Sequence, residues 1–393
     1  MKLLFNLKNI VFILLGLSIP TSVALTNILI VLFVFLWLIE GDFSRKLSKI
    51  KSVKWIWSLI SLAILYMLGL TYGDTHDDSI YVMQRVLLLL FFIPLITTEF
   101  KQSTYRYAII AFLIANLTSA LVAIGINHEI INPITNGKGN ISAFILYNYH
   151  NILLAFSSVL SFLLFTKSRS RYSYLYLILI TIYSISIFSE AGRAGQLTFN
   201  MFFILYALYF LNKKIIYSFS IICFLALVNV YSYNNSGIYK YRVDNLMHTV
   251  QHDGMNKDSK VKQKNIRYVF HKESFELIKK RPIFGHGTGS FSSVFRNNTI
   301  STYMYYDHKT PHNNFLYVLF ELGLIGLLTF LSFFYFQIKD LFSVRIFRYE
   351  RLILPLFLIF LMLFDSYLFI FTITLFYQFM FTIFRGIKMD SKD

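Results

Sequence analysis

The sequence predicts an all-α polytopic membrane protein with about twelve transmembrane helices and one long external loop. Of its 393 residues, 56% are apolar and 15% are charged, whereas soluble domains average about 45–50% apolar and about 25% charged residues. Apolar stretches suited to crossing a bilayer recur along the chain, and basic residues gather in alternate polar breaks. This composition excludes an ordinary soluble enzyme and a disordered chain.

The predicted spans are separated by short polar breaks, with one exception. A helix needs about 20 apolar residues to cross the hydrocarbon core. The first stretch has no small-residue cleavage site before the second begins, so we expect a span there and not a cleaved signal peptide. The predicted spans are 9–22, 24–40, 55–71, 81–97, 106–126, 150–166, 173–189, 194–211, 215–232, 314–336, 350–364 and 366–384.

The net charge of +17 divides unevenly between the two sides of the predicted membrane. With the N-terminus inside, the cytoplasmic breaks and span edges hold 21 basic and 7 acidic residues. The external break 73–78 is acidic. An excess of lysine and arginine marks cytoplasmic loops, so both termini are predicted to be cytoplasmic. The charge is therefore an orientation signal, and no nucleic-acid partner is predicted.

The exception is residues 233–311, which form a long external loop. It carries 13 basic and 6 acidic residues, a net charge of +7, and loops of this length without structure or function are uncommon. Residues 262–281 have the pattern of a basic amphipathic helix, which is expected to lie on the membrane surface. The predicted organisation is 1–232 with nine spans, 233–311 as the loop, and 312–393 with three spans and a cytoplasmic tail.

Several arginines are candidates for binding an anion. Arg193 lies in a tight turn between two apolar spans, and an arginine at membrane depth is costly unless it is paired or faces water. It either snorkels to the interface, pairs with Glu190, or grips phosphate through two parallel hydrogen bonds. Arg267 begins the amphipathic helix and Arg85 lies near the external end of a span. The alternative for Arg267 is a contact with solvent or lipid headgroups, and the alternative for Arg85 is snorkelling to the outer interface.

His312 is the candidate general base. It follows Pro311 and precedes Asn313 at the start of the tenth span, and histidine is the side chain that most readily exchanges a proton near neutral pH. The alternative is a capping or interfacial histidine, because Asn313 or Asn314 is suited to cap this helix. Glu321 lies about 13 Å further along it, by the rise of an α-helix, and a buried acid there requires a partner.

Other polar residues of the sequence are candidates for smaller roles. His150 begins the sixth span, where it either lines a cavity shared with the other candidate residues or caps the helix. The segment 282–291 superficially resembles a nucleotide-binding glycine loop, but no βαβ unit surrounds it. We expect its glycines to form an open loop near a ligand or the membrane. His248, His252 and Asp253, and likewise Asp74, His76, Asp77 and Asp78, form incomplete ligand sets, so neither a metal nor a cofactor is predicted.

At three places the sequence resembles the O-antigen ligase family of bacterial inner-membrane proteins, which also includes O-antigen polymerases. The first place is 189–196 with Arg193, and the second runs from Arg267 through Pro282-Ile283-Phe284-Gly285-His286-Gly287. The third and most specific is Pro311-His312-Asn313 followed by Gly323-Leu324-Ile325-Gly326 at the family's spacing. One departure is Ser189-Glu190-Ala191-Gly192-Arg193, where many members have a shorter Ser-Arg-Gly turn.

The resemblance implies a fold similar to the GT-C type and a glycosyltransferase with a lipid-linked donor. A ligase moves an O-antigen glycan from undecaprenyl diphosphate to a sugar hydroxyl of lipid A–core, at the periplasmic face and without nucleotide or metal. By this resemblance Arg193 and Arg267 hold the diphosphate and His312 activates the acceptor. Asn313, Arg85, His150 and Glu321 are expected to contribute to substrate binding.

Three alternatives remain open at the level of sequence. An O-antigen polymerase uses the same donor chemistry with a different acceptor, and the Pro-His-Asn motif with its single long loop favours a ligase over it. A protein O-glycosyltransferase is a smaller alternative. A lipid or glycan transporter is disfavoured because the chain shows no internal repeat and its polar residues gather on one face.

Overall fold

The structure is a computed structural model that describes residues 2–74, 77–133, 142–168, 170–253, 266–298, 309–343 and 348–387. Their regular secondary structure is helical, with no β-strand among these residues. The helices are α1 Lys2–Ser18, α2 Val23–Ile39, α3 Phe43–Ser52, α4 Lys54–Tyr72, α5 Ser79–Leu89, α6 Phe92–Thr97, α7 Gln102–Asn127, α8 Tyr147–Lys167, α9 Tyr174–Ser189, α10 Arg193–Leu211, α11 Ile215–Asn235, α12 Gly237–Asp253, α13 Ile266–Ile278, α14 Phe291–Asn298, α15 Asn314–Ser343, α16 Arg348–Arg351, α17 Ile353–Leu361 and α18 Phe371–Gly386. The predicted all-α class is confirmed.

Within the described ranges, eight segments are long and apolar enough to cross a membrane. They are Lys54–Tyr72, Ser79–Thr97, Gln102–Asn127, Tyr147–Lys167, Arg171–Ser189, Arg193–Leu211, Ile215–Asn235 and Asn314–Ser343. A ninth is added if α2 and α3, which are bent by 112°, count as one span. Shorter helices occupy the other predicted spans: α1 has 17 residues, α17 has 9 and α18 has 16. The chain is therefore a helical membrane protein, and the count of twelve stays a prediction.

The chain divides into two compact units. The first consists of Met1–Val11, Ile30–Tyr105 and Gln263–Met389, and the second mainly of Phe12–Leu29 and Arg106–Lys262. Helices α3 to α6 and α13 to α18 belong to the first unit, and α8 to α12 belong to the second. Helices α1, α2 and α7 contribute residues to both.

Aromatic side chains form the core of the first unit, where α4 packs along α15. The Trp55 ring makes edge contacts with Phe92 and Phe381, with ring centres 5.1 Å and 5.2 Å apart. Its indole N–H donates to Asp340 Oδ2 at 2.9 Å. Edge-to-face rings at this spacing are favoured because the positive ring edge meets a negative face. This packing holds the helices of the first unit together.

Helix α15 is broken at Gly323, whose backbone has φ 61° and ψ −161°. This left-handed conformation suits glycine, which carries no Cβ. A Cβ on Gly323 would overlap the carbonyl group of Ile283 in the loop before α14. At the break, the Leu324 N–H donates out of the helix to Pro282 O at 2.8 Å. The glycine therefore serves both the kink and the close approach of the loop.

The segment 282–290, here called the glycine loop, replaces the hydrogen bonds lost at this kink. The His286 N–H donates to Phe320 O at 2.9 Å and the Gly287 N–H to Glu321 O at 2.8 Å. Buried backbone groups must find such partners, most of all at membrane depth. Residues 285–290 are buried, so the expectation of an open loop is wrong. The loop is wedged against α15 and, through a bond from the Thr288 N–H to Gly69 O at 3.1 Å, against α4.

The predicted amphipathic helix is present as α13. Its apolar residues Phe270, Leu277 and Ile278 are buried, and the helix packs on α14 and α15. This part of its apolar face therefore packs against protein. The expectation that the helix lies on a lipid surface by this face is wrong. The reason is that α14 and α15 offer apolar surface of their own, which burial removes from water.

Helix α8 is the central helix of the second unit and packs on α9 and α10. Its residues from His150 to Phe162 are all buried. The Asn151 amide donates to Ile187 O at 3.1 Å and to Gly192 O at 3.4 Å. A Cβ on Gly195 would overlap the Asn151 backbone. These contacts fix the turn that leads into α10.

Candidate active site

The imidazole of His312 lies beside a carboxylate from the turn after α17. Nδ1 of His312 is 3.1 Å from Oδ1 of Asp365, and this oxygen also accepts the Ser366 N–H at 2.7 Å. The two side chains are 27% and 26% exposed. A carboxylate at Nδ1 favours the tautomer with its hydrogen on Nδ1, which puts the basic lone pair on Nε2. The arrangement suits proton removal by Nε2.

The backbone around His312 is anchored on both sides. His312 has φ 55°, a left-handed conformation that costs on the order of 1–3 kcal/mol for a residue other than glycine. The Leu316 N–H donates to Asn313 Oδ1 at 3.0 Å, so the predicted cap is confirmed. The Asn313 amide also donates to Leu363 O at 3.3 Å. The oxygen and the nitrogen of this side chain thus both form hydrogen bonds within the protein. Its contact with substrate stays a prediction.

Helix α13 places a phenyl ring against the candidate base. The Phe270 ring meets the His312 ring edge-on with centres 5.9 Å apart and contacts Phe295 at 5.1 Å. Arg267 lies one helical turn before Phe270, so its backbone belongs to the helix that borders His312. The predicted phosphate contact of the Arg267 guanidinium falls outside the described side chains.

Two cations flank the ring of Tyr81 near the same end of the first unit. The guanidinium carbon of Arg85 is 5.0 Å from the ring centre, and the Lys309 ammonium is 5.1 Å from it. Lys309 also pairs with Asp78 at 3.0 Å. The buried Nε of Arg85 has no hydrogen-bond acceptor among the described residues. Arg85 is thus held by cation–π contact, in the unit that carries His312.

Glu321 has a structural partner that the sequence did not identify. Its carboxylate is fully buried, and Oε1 accepts the Gly289 N–H at 2.9 Å. The acid at this depth therefore holds the glycine loop. Its predicted substrate contact stays a prediction.

The acidic break 73–78 also serves the glycine loop. Asp74 pairs with Arg281 Nη2 at 2.6 Å and with His286 Nδ1 at 2.7 Å. Asp78 accepts the hydroxyl of Ser292. Asp74 and Asp78 thus bind groups of the protein, while His76 lies outside the described residues.

Arg193 is the first residue of α10 and is exposed. The neighbouring Glu190 is buried, accepts the Ser142 hydroxyl and lies 3.3 Å from His150 Nδ1. The alternative in which Glu190 pairs with Arg193 is therefore not what the structure shows. His150 is fully buried and holds this carboxylate, so its own contact with substrate stays a prediction.

A second arginine, Arg242 of α12, reaches the same turn. Its Nη1 donates to the carbonyl of Ala191. Burial and then the charge of Arg193 lower the pKa of Arg242. Sequence reasoning did not select it, because nothing distinguishes it from the other basic residues of the external loop.

Asp365 was also missed, although the sequence carries a signal for it. It is the only acidic residue between Arg351 and Arg385, and it falls in the break between the last two predicted spans. An acid in an otherwise apolar region is a functional candidate. Only the fold shows that it faces His312.

The comparison with known families matches residues 156–331 to the model described as O-antigen ligase. Residues 156–331 are therefore similar to the O-antigen ligase family. The match bears out the predicted family and supports a general enzymatic role. The matched segment contains Arg193, Arg242, Arg267 and His312, whereas Asp365 follows it. A comparison with curated proteins found no match.

Proposed function

We propose that this protein is an O-antigen ligase. It transfers a glycan from undecaprenyl diphosphate to a sugar hydroxyl of lipid A–core. The observation that carries the proposal is the His312–Asp365 pair at 3.1 Å, with His312 inside the segment that matches the O-antigen ligase model. A histidine fixed by a carboxylate is suited to activate a hydroxyl nucleophile.

The proposed setting is the bacterial inner membrane, with the reaction at the periplasmic face. The proposed topology is GT-C-like, with twelve spans, both termini cytoplasmic and the loop 233–311 periplasmic. The distribution of basic residues supports this orientation. Helices at or near all twelve predicted spans are in keeping with the count.

In the proposed reaction, His312 removes the proton from the acceptor hydroxyl through Nε2. The hydroxyl oxygen then bonds to the anomeric carbon of the donor glycan, as the bond from that carbon to the diphosphate oxygen breaks. Asp365 stabilises the imidazolium that forms, as a carboxylate at Nδ1 does. General base catalysis of this kind contributes roughly 10²–10⁴-fold. Attack opposite the leaving group inverts the anomeric centre.

The leaving diphosphate takes the electron pair of the broken bond, so negative charge grows on it. In the proposed metal-independent mechanism, Arg193 and Arg267 supply the compensating positive charge. Guanidinium groups match phosphate oxygens through paired hydrogen bonds. Preorganised donors aimed at developing charge are worth about 3–4 kcal/mol each in a site with little water.

The remaining predicted binding residues have unequal support. Arg85 shares the Tyr81 ring with Lys309, which gives the first unit a basic group suited to an anionic part of a substrate. Asn313, His150 and Glu321 each bond to protein. We propose that Asn313 and Glu321 stabilise the first unit around His312, and that His150 stabilises the turn before α10 in the second unit.

An O-antigen polymerase is the second candidate, because the family comparison is equally compatible with that acceptor. Deletion of the gene followed by gel analysis of lipopolysaccharide separates the two. A ligase deletion accumulates undecaprenyl-linked polymer that is not attached to core. A polymerase deletion leaves core with a single repeat unit, and normal lipopolysaccharide contradicts both. Complementation with His312→Ala then tests the residue that carries the proposal.

A further inference from the structure

The turn before α10 brings together two guanidinium groups from different helices. Arg193 opens α10, and Arg242 on α12 donates from Nη1 to the carbonyl of Ala191, two residues earlier in the same turn. Arg242 is partly buried. The bond to Ala191 puts the Arg242 guanidinium beside the turn that leads to Arg193, and burial and then the charge of Arg193 lower the pKa of Arg242.

The acidic side chains nearest along the chain are engaged elsewhere. Glu190 bonds to Ser142 and His150, and Asp244 on α12 accepts the Tyr233 hydroxyl at 2.7 Å. No described carboxylate forms an ion pair with Arg193 or Arg242 within 4 Å. Two like charges held in one turn are unfavourable until an anion lies between or beside them. The arrangement is therefore prepared for a multiply charged anion.

We propose that Arg242 is a phosphate-binding residue that acts with Arg193 on the diphosphate of the lipid-linked donor. The inference rests on the proposed function for the identity of the donor. Two guanidinium groups offer paired donors for the oxygens of two phosphates, and the N-terminal N–H groups of α10 add to the positive potential. Arg242 thereby joins Arg193 in compensating the charge that grows on the leaving group. The pair binds a diphosphate in preference to a monophosphate.

The test measures lipid binding to the full chain in nanodiscs of neutral phospholipid. The probes are undecaprenyl diphosphate, undecaprenyl phosphate, inorganic pyrophosphate and phosphatidylglycerol. We expect the wild-type protein to bind the lipid diphosphate best. Arg242→Gln weakens binding of the diphosphate by about tenfold or more, as expected for lost hydrogen bonds to a charged group, and reduces the preference over the monophosphate. Arg242→Lys recovers part of this preference.

The matched control is Lys240→Gln, which removes one positive charge from an exposed position on the same helix and should leave binding unchanged. The proposal is overturned if Arg242→Gln binds like this control. It is also overturned if Arg242→Gln weakens both lipids equally with a lowered melting temperature, since that reports only the bond to Ala191. Binding of phosphatidylglycerol as tightly as the diphosphate overturns the assignment of the ligand.

The failure of this inference is distinguishable from failure of the proposed function. If Arg242→Gln supports normal ligation in a deletion strain while Arg193→Gln does not, the role of Arg242 is refuted and ligase activity stands. If the deletion strain itself makes normal lipopolysaccharide, the proposed function is wrong, whereas the binding of undecaprenyl diphosphate through Arg242 is decided separately by the nanodisc measurement.

Discussion

Asp365 holds the imidazole of His312 from 53 positions further along the chain. The carboxylate accepts hydrogen bonds from Nδ1 of His312 and from the Ser366 N–H. The Ser366 N–H therefore orients the carboxylate, and the carboxylate orients the imidazole. Asn314 ties the same turn to the start of α15, because its Oδ1 accepts the Leu368 N–H at 3.0 Å. The base and its carboxylate therefore belong to one hydrogen-bonded part of the first unit.

The first prediction concerns this pair. We expect Asp365→Asn to lower the ligation rate by roughly 10²-fold or more, because an asparagine amide N–H at Nδ1 favours the wrong tautomer. His312→Ala should lose roughly 10²–10⁴-fold. The double variant should be no worse than His312→Ala, since the carboxylate acts through the histidine. The measurement is the rate of glycan transfer to lipid A–core by the purified protein.

The control for Asp365→Asn is Glu276→Gln, which neutralises an exposed carboxylate on α13 that pairs with Lys279. It should transfer glycan at the wild-type rate. Equal rates for Asp365→Asn and Glu276→Gln would contradict the positioning role of Asp365.

The second prediction concerns the kink in α15. Gly323→Ala should lower the free energy of unfolding by about 2 kcal/mol or more, because alanine disfavours a φ of 61° and its Cβ overlaps Ile283. Gly237→Ala is the matched control, since a Cβ there meets nothing within 4 Å, and its effect should stay within about 1 kcal/mol. Thermal unfolding in detergent measures both. Similar melting temperatures would show that the kink relaxes without cost.

The third prediction separates a structural role of Glu321 from a role in substrate binding. Glu321→Gln retains an oxygen that can accept the Gly289 N–H, so we expect stability and activity close to the wild-type protein. Glu321→Ala leaves that buried N–H without its acceptor and should cost about 1–3 kcal/mol of stability. If Glu321→Gln keeps its melting temperature but loses glycan transfer, the carboxylate takes part in the reaction and the structural role is incomplete.

The fourth prediction tests orientation in the membrane. Cys223 is the single cysteine, so Cys223→Ser provides a background without thiols. In that background, Lys240→Cys on α12 should react with a membrane-impermeant maleimide added to spheroplasts, whereas Lys51→Cys on α3 should react only after lysis. Both positions are exposed, so burial does not explain a difference between them. The opposite labelling pattern would invert the proposed topology.

Some features of the fold follow from local sequence. Hydropathy over about 20 residues fixes where a helix can cross a membrane, and the helices occur at or near the predicted stretches. The Pro311-His312-Asn313 motif likewise predicts a helix start, because an asparagine caps through atoms only three residues away. These properties depend on neighbours in the chain and can therefore be predicted without knowledge of the fold.

Other features depend on partners that are distant in sequence. Asp365 faces His312 across 53 residues, and Glu321 reaches Gly289 across 32. The burial of the α13 apolar face against α14 and α15 is of the same kind. The sequence pattern indicated that a buried acid requires a hydrogen-bonding partner and that an amphipathic face requires a surface to pack against. Only tertiary packing decided which groups these are, because many arrangements of the same helices bury equal apolar area.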